Sequence, residues 1–299
     1  MVLVESWAAF ALLAALLWSL STVIDKFVLG KLVKNPVIPT LFVGALGVVV
    51  SVAIYVAQGW QRMPIEGVLW ALASGVLFFL GVLFYYRAAK EGEISTIAAL
   101  YYLAPLFIAV MAAAFLNEFF TPKTYTGIIA VVAGGVLLSI QDFKTLSLKK
   151  GVGIRVLSVF FFACTSVIMK YLLSLADYWT VFSYRSIAMA LVLSVALAPQ
   201  YKNIKADIIA MKKKTIALIS FSELLTIAGV LLVTLSASLG PVTLTGTLSA
   251  TSPFFTLLLV VFLSLFHPKI LKEEITRKTI SRKAIAMLLM LAGGVLMAS

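Results

Sequence analysis

Ten long apolar runs divide this chain and leave it almost no choice of fold. They cover residues 7–29, 37–57, 68–89, 94–116, 125–140, 152–173, 179–198, 216–237, 242–266 and 284–298. A helix crossing the hydrocarbon of a bilayer needs about 20 mainly apolar residues, the length most of these runs have. In lipid the backbone amides and carbonyls must satisfy one another, which leaves helices or a closed barrel. A barrel requires alternation of apolar and polar residues, and the runs show none. Of the 299 residues 62% are hydrophobic and 12% charged, with mean hydropathy +1.10, too little polar surface to coat a soluble domain. The linkers are short. The two longest, 200–214 and 267–283, read as amphipathic or solvated surface segments. The expected fold class is an all-α integral membrane protein with ten transmembrane helices.

Internal repetition organises the ten runs. Ser21-Thr22-Val23-Ile24-Asp25-Lys26 in the first matches Thr165-Ser166-Val167-Ile168-Met169-Lys170 in the sixth. Gly81, Gly92, Pro105 and Phe107 fall on Gly229, Gly240, Pro253 and Phe255, all at an offset of 148. Ala133-Gly134-Gly135-Val136-Leu137 recurs as Ala292-Gly293-Gly294-Val295-Leu296. Three collinear matches divide the chain into repeats 1–146 and 147–299. Five is an odd number of crossings, so the second repeat enters from the opposite side. Two five-helix inverted-topology repeats are an architecture of secondary transporters.

The net charge is +12, from 24 Lys and Arg against 12 Asp and Glu. Twenty of the basic residues lie in the loops after the odd-numbered runs or at the run ends that flank them; Arg62, Lys123 and Lys170 lie on the other side, and Arg185 well inside a run. Such a bias sets orientation and is no sign of nucleic-acid binding. It predicts the twenty-charge side in the cytoplasm and both termini outside. Residues 1–4 carry no basic stretch, so no cleaved signal peptide is expected. Cys164 and His267 are the only residues of their types, which rules out an intrachain disulfide and a His/Cys metal site. There is no phosphate-binding glycine loop and no Ser/His/Asp set. The expectation is a non-enzymatic protein without cofactor, driven by a gradient.

Ionisable residues within the runs are functional candidates because they are costly there. Glu223 lies about nine residues beyond Lys214, roughly 13 Å deep. It is read as a site for a cationic or amino group, or for a coupling proton; a structural hydrogen bond is the alternative. Arg185, in the adjacent run, could hold a substrate carboxylate or neutralise Glu223, or snorkel to the interface. Together they would suit a zwitterion. Asp25, Lys26 and Lys170 are candidate gates at the two mouths, with interfacial anchoring as the alternative. Arg87 and Glu118, at run ends, read as anchors or structural partners. Pro105 and Pro253 sit mid-run at equivalent places and read as hinges. Trp18, Ser21, Tyr85, Tyr86, Tyr101, Tyr102, Thr165, Ser166, Ser222, Thr226, Ser249 and Ser252 are candidate lining residues, each also able to serve packing. The paired glycines are expected to permit close helix approach.

These features resemble the drug/metabolite transporter superfamily, in particular its EamA-type ten-helix transporters. The resemblance is carried by Leu17-Trp18-Ser19 with Lys26, Leu83-Phe84-Tyr85-Tyr86, and Tyr101 with Leu103-Ala104-Pro105-Leu106-Phe107. Asn117-Glu118, Thr121, Gly127 and the Ala133–Val136 run complete it. Trp18-Ser19 stands where such proteins usually have Trp-Gly, and Asn117-Glu118 where they usually have Gly-Glu. The resemblance implies an alternating-access exporter of small organic metabolites such as amino acids, in the cell membrane. It also implies both termini in the cytoplasm, against the charge bias. A lipid or lipid-linked sugar flippase of the same fold is the alternative. One chain supplies both repeats, so a monomer suffices; the partners expected are the small-molecule substrate, the lipid bilayer and a proton as the coupling ion.

Overall fold

The computed structural model describes residues 2–33, 35, 37–59, 61–91, 102–139, 152–252, 254–256, 258–259, 262 and 277–298. Eleven α-helices are named among them. They are α1 (Val2–Lys31), α2 (Val37–Gln58), α3 (Ile65–Glu91), α4 (Ala104–Leu116) and α5 (Pro122–Ser139). Then follow α6 (Val152–Leu172), α7 (Tyr178–Leu197), the short α8 (Tyr201–Ala210), α9 (Lys213–Leu239), α10 (Val242–Ser249) and α11 (Arg277–Ala298). The segments Ser6–Asp25, Val37–Gln58, Ile65–Phe84, Tyr178–Ala210 and Lys213–Leu239 are long and apolar enough to cross a membrane. Shorter apolar helices occupy Ala104–Leu116, Pro122–Leu137, Val156–Leu172 and Leu288–Met297.

The distribution of side chains reverses that of a soluble protein. Large apolar residues point outward: Val56, Phe115 and Val195 are each at least 75% exposed. Inside, Ser19, Ser51, Ser183, Ser222, Thr234, Ser236 and Thr243 are fully covered. Lipid tails accept the outer apolar surface, while small hydroxyl residues let helices approach and bond across their contacts. Several hydroxyls bond back to their own helix, as Ser51 Oγ does to the Gly47 carbonyl at 2.7 Å.

Helix packing is organised in matching pairs. α1 packs on α9 and α3 on α6; α2 packs on α9 and α3 on α7; α2 meets α7 and α5 meets α11. Exchanging α1 with α6, α2 with α7, α3 with α9 and α5 with α11 maps this set onto itself. The detail follows the same exchange. A Cβ on Gly229 would lie 2.4 Å from the Trp18 indole, and one on Gly81 would lie 3.0 Å from the Phe162 ring. Between α5 and α11, Gly293 and Gly127 face each other so closely that a Cβ on Gly293 would meet the Gly127 carbonyl at 2.6 Å.

Local signals set the helix ends. Asp177 caps α7, its carboxylate accepting from the Trp179 and Thr180 amides at 2.9 and 3.1 Å. Asn117 ends α4 in the left-handed region at φ 55°, a conformation Asn tolerates better than most residues. Pro105 corrects one expectation. It lies in the first turn of α4, after a turn at Tyr102–Leu103, where its missing N–H costs nothing; it does not bend a continuous described helix. α10 ends in a turn at Ala250–Thr251, 148 residues after the first. Leu106 N donates to Leu103 O at 3.0 Å, and Phe254 N to Thr251 O at 2.9 Å, the same bond at that offset. Pro253 itself lies outside the described residues.

Candidate functional site

Between α1 and α9 lies a buried polar cluster. Ser222 and Glu223 are adjacent on α9, one turn before Thr226; Ser21 and Asp25 are one turn apart on α1. Ser222 Oγ lies 2.6 Å from Asp25 Oδ1, Ser21 Oγ 3.0 Å from Ser222 Oγ, and Thr226 Oγ1 2.8 Å from Ser21 Oγ. A hydroxyl has one proton to give. Running Thr226 to Ser21 to Ser222 to Asp25, every hydroxyl donates once and the carboxylate takes the last bond. Trp18 Nε1 donates to the Thr226 carbonyl at 3.2 Å and closes the cluster on one side.

Glu223 is 5% exposed and follows directly on Ser222, whose hydroxyl bonds Asp25. Among the described residues no hydrogen bond or ion pair reaches its carboxylate. It is the eleventh residue of α9, about 15 Å along the helix from Lys213. The cluster therefore holds two carboxylates and no described cation.

A complementary pole sits on the other helices. Arg185 of α7 reaches Ser74 Oγ on α3 at 3.4 Å and the Thr165 carbonyl on α6 at 3.5 Å, both long contacts for so strong a donor. Among the described residues it too lacks an oppositely charged partner. Phe182 of α7 and Ile227 of α9 pack in one hydrophobic cluster, so depth can be counted from that shared level. Arg185 is three residues beyond Phe182 and Glu223 four before Ile227, both toward the α8 end, about 4.5 and 6 Å, which sets the two within a turn of each other in depth. α7 and α9 are in contact, but no hydrogen bond or ion pair joins the two residues. Direct neutralisation of Glu223 by Arg185 is not what the side chains do. Ser74 was not singled out from the sequence, although the offset of 148 places it on Ser222, and Thr165 falls on Ser21 in the other repeat match.

The remaining candidates divide. Lys170 Nζ donates to the Ala237 and Gly240 carbonyls at 2.6 and 2.7 Å, at the end of α9. Two and three residues beyond Gly240, the Val242 and Thr243 amides donate to the Glu118 carboxylate at 2.9 and 3.2 Å and the Thr243 hydroxyl at 3.1 Å, at the start of α10. One turn is thus clamped by a cation on its carbonyls and a carboxylate on its amides, each matching the local helix dipole. Ser249 Oγ bonds back to the Thr245 carbonyl at 2.8 Å, and Tyr102, 2% exposed, packs over Gly135. Thr165 Oγ1 donates to the Phe162 carbonyl at 2.7 Å, and it is the Thr165 carbonyl that accepts from Arg185. Tyr101 lies outside the described residues, and of Lys26 and Tyr85 only the helical backbone lies within them.

Comparison with known proteins points one way. The sequence pattern of the EamA-like transporter family matches residues 5–140. An uncharacterised transporter of Sinorhizobium is 30% identical over 140 residues, 46% of this chain and 98% of that protein. An uncharacterised protein of Methanocaldococcus jannaschii is 27% identical over 44% of this chain and 94% of its own. An uncharacterised transporter of Clostridium kluyveri is 26% identical over 47% of this chain, and the match spans less than half of that relative, 46%. A crystal structure superposes over 98% of this chain and 96% of its own with TM-score 0.73; at 19% identity the likeness establishes the fold alone.

Proposed function

This chain belongs to the EamA-like transporter family, a multi-pass integral protein of the cell membrane, and from that premise we propose that it carries small zwitterionic metabolites, amino acids foremost. In this reading the repeats 1–146 and 147–299 are oppositely inserted halves that rock against each other. The exchange of helix contacts supports it, as does a relative matched over nearly its whole length by less than half of this chain. The equivalent turns before Pro105 and Pro253 serve as hinges.

The observation that carries the substrate class is the separation of charge at one depth. Asp25 and Glu223 lack a described cation, and Arg185 lacks a described anion. Unpaired charges inside a membrane protein are costly unless a partner arrives. A substrate ammonium would answer the carboxylates and a substrate carboxylate the guanidinium, with Ser21, Ser222 and Thr226 tuning the acidic side. Export is the direction we favour, and a proton on Glu223 takes the place of the ammonium in the empty site. The lipid-flippase alternative predicts instead a response to lipid headgroups.

A ligand panel tests this. Zwitterionic amino acids should raise the Tm of the purified protein more than the matching amines or carboxylic acids do. Stabilisation by lipid-linked sugars alone, or equal responses to all three small-molecule classes, would contradict the proposal.

A further inference from the structure

α8 follows α7 through a 3-10 turn at Ala198–Gln200 and packs where α1, α2 and α9 meet, without closing on them. Its inward residue Ile204 is 5% exposed, and Ile208 packs against the cluster formed by Val28, Val33, Ile38 and Ile219. Asn35 Nδ2, in the α1–α2 link, reaches Asp207 Oδ2 at 3.4 Å. Between this helix and the spans runs an apolar groove of about 420 Å³, lined by Leu41 of α2, Leu197 of α7, and Tyr201, Ile204, Lys205 and Ile208. Tyr201 remains 60% exposed and Ile209 72%. Lys205 Nζ stands 5.8 Å from the centre of the Tyr201 ring, at the rim.

Charge gathers at the same place. Residues 201–214 hold Lys202, Lys205, Lys212, Lys213 and Lys214 against the single acid Asp207, which is already engaged by Asn35. Orientation by the positive-inside rule accounts for lysines on this side, but it does not account for an open apolar groove beneath them. Leu41 and Leu197 belong to membrane spans, so the groove opens at the level where acyl chains meet headgroups. An amphipathic helix with basic residues above an apolar face is suited to that boundary. Anionic headgroups are drawn to such lysines.

We propose that this groove binds one anionic phospholipid of the surrounding leaflet, with an acyl chain against Leu41, Leu197 and Ile208 and the phosphate on Lys202 and Lys205. The site is separate from the Glu223 and Arg185 poles and stands whether or not those bind substrate. Its role is to pin α8, and with it the α7–α9 connection, to the membrane surface.

The test uses the full chain in neutral detergent, titrated with dioleoyl phosphatidylglycerol, dioleoyl phosphatidylcholine or inorganic phosphate. Phosphatidylglycerol should raise Tm by about 3 °C more than phosphatidylcholine, and inorganic phosphate should leave it unmoved. In native mass spectrometry the double variant K202Q/K205Q should bind phosphatidylglycerol roughly tenfold more weakly, while Lys123→Gln, on the opposite side, should not. Leu41→Trp, which fills the groove, should weaken both phospholipids. Equal stabilisation by the two lipids, full stabilisation by inorganic phosphate, or undiminished binding in K202Q/K205Q would overturn the proposal.

Discussion

Ser222 and Asp25, almost two hundred residues apart, are joined by a 2.6 Å hydrogen bond from hydroxyl to carboxylate. That bond fixes the face α9 turns to α1 and holds Asp25 against the residue next to Glu223. Hydrogen bonds between membrane helices contribute about 0.6 to 2 kcal/mol. Ser222→Ala and Asp25→Asn should therefore be coupled by about 1 kcal/mol in a double-mutant cycle followed by unfolding in mixed micelles. Strict additivity would mean that the contact contributes nothing.

Lys170 is read as a clamp on the α9–α10 turn and not as a moving gate. Lys170→Met removes two charged hydrogen bonds to carbonyls and leaves Glu118 facing the turn alone. A loss of about 2 kcal/mol is expected, with substrate affinity little changed in the folded fraction. A normal Tm combined with altered transport would instead restore the gating role.

The α5–α11 contact depends on the absence of side chains at Gly127 and Gly293. A Cβ at Gly293 would lie 2.6 Å from a backbone oxygen, whereas one at Gly294 finds its nearest neighbour at 4.0 Å. Gly293→Ala should cost about 1 to 3 kcal/mol, and Gly294→Ala should be tolerated. Thermal unfolding of the two variants side by side checks this.

Fold class was plain in the sequence because lipid permits so few solutions: the apolar runs alone imply helices, and the helices are there. The polar cluster was half legible. Glu223 and Ser222 stand out as polar residues deep in an apolar run, yet their pairing with Asp25 and Ser21 depends on how α9 is rotated against α1, which no local pattern encodes. Ser74 could have been found by carrying the repeat offset one residue type further. The clamp at Ala237–Val242 was invisible, since Lys170 and Glu118 act there on backbone atoms, which any sequence supplies. Pro105 was misplaced because periodicity runs smoothly through a break that turn geometry makes.

Charge bias and family resemblance disagree on orientation, and a labelling experiment decides between them. Cys164 is the only cysteine and is half-buried, with its Sγ 3.7 Å from Met111 Sδ. In a Cys164→Ser background, Lys213→Cys and Lys123→Cys report opposite ends of the bundle, both at exposed positions. If the twenty basic residues govern insertion, an impermeant maleimide should label Lys123→Cys in intact cells and spare Lys213→Cys. The reverse pattern would place both termini in the cytoplasm.

Exchange of labelled amino acids across proteoliposomes tests the central claim most directly. Wild-type protein should exchange zwitterions, Arg185→Gln should lose them while retaining amines that lack a carboxylate, and Glu223→Gln should lose both and flatten the dependence on pH. Unimpaired zwitterion exchange by Glu223→Gln and Arg185→Gln, with the wild-type pH profile, would contradict it.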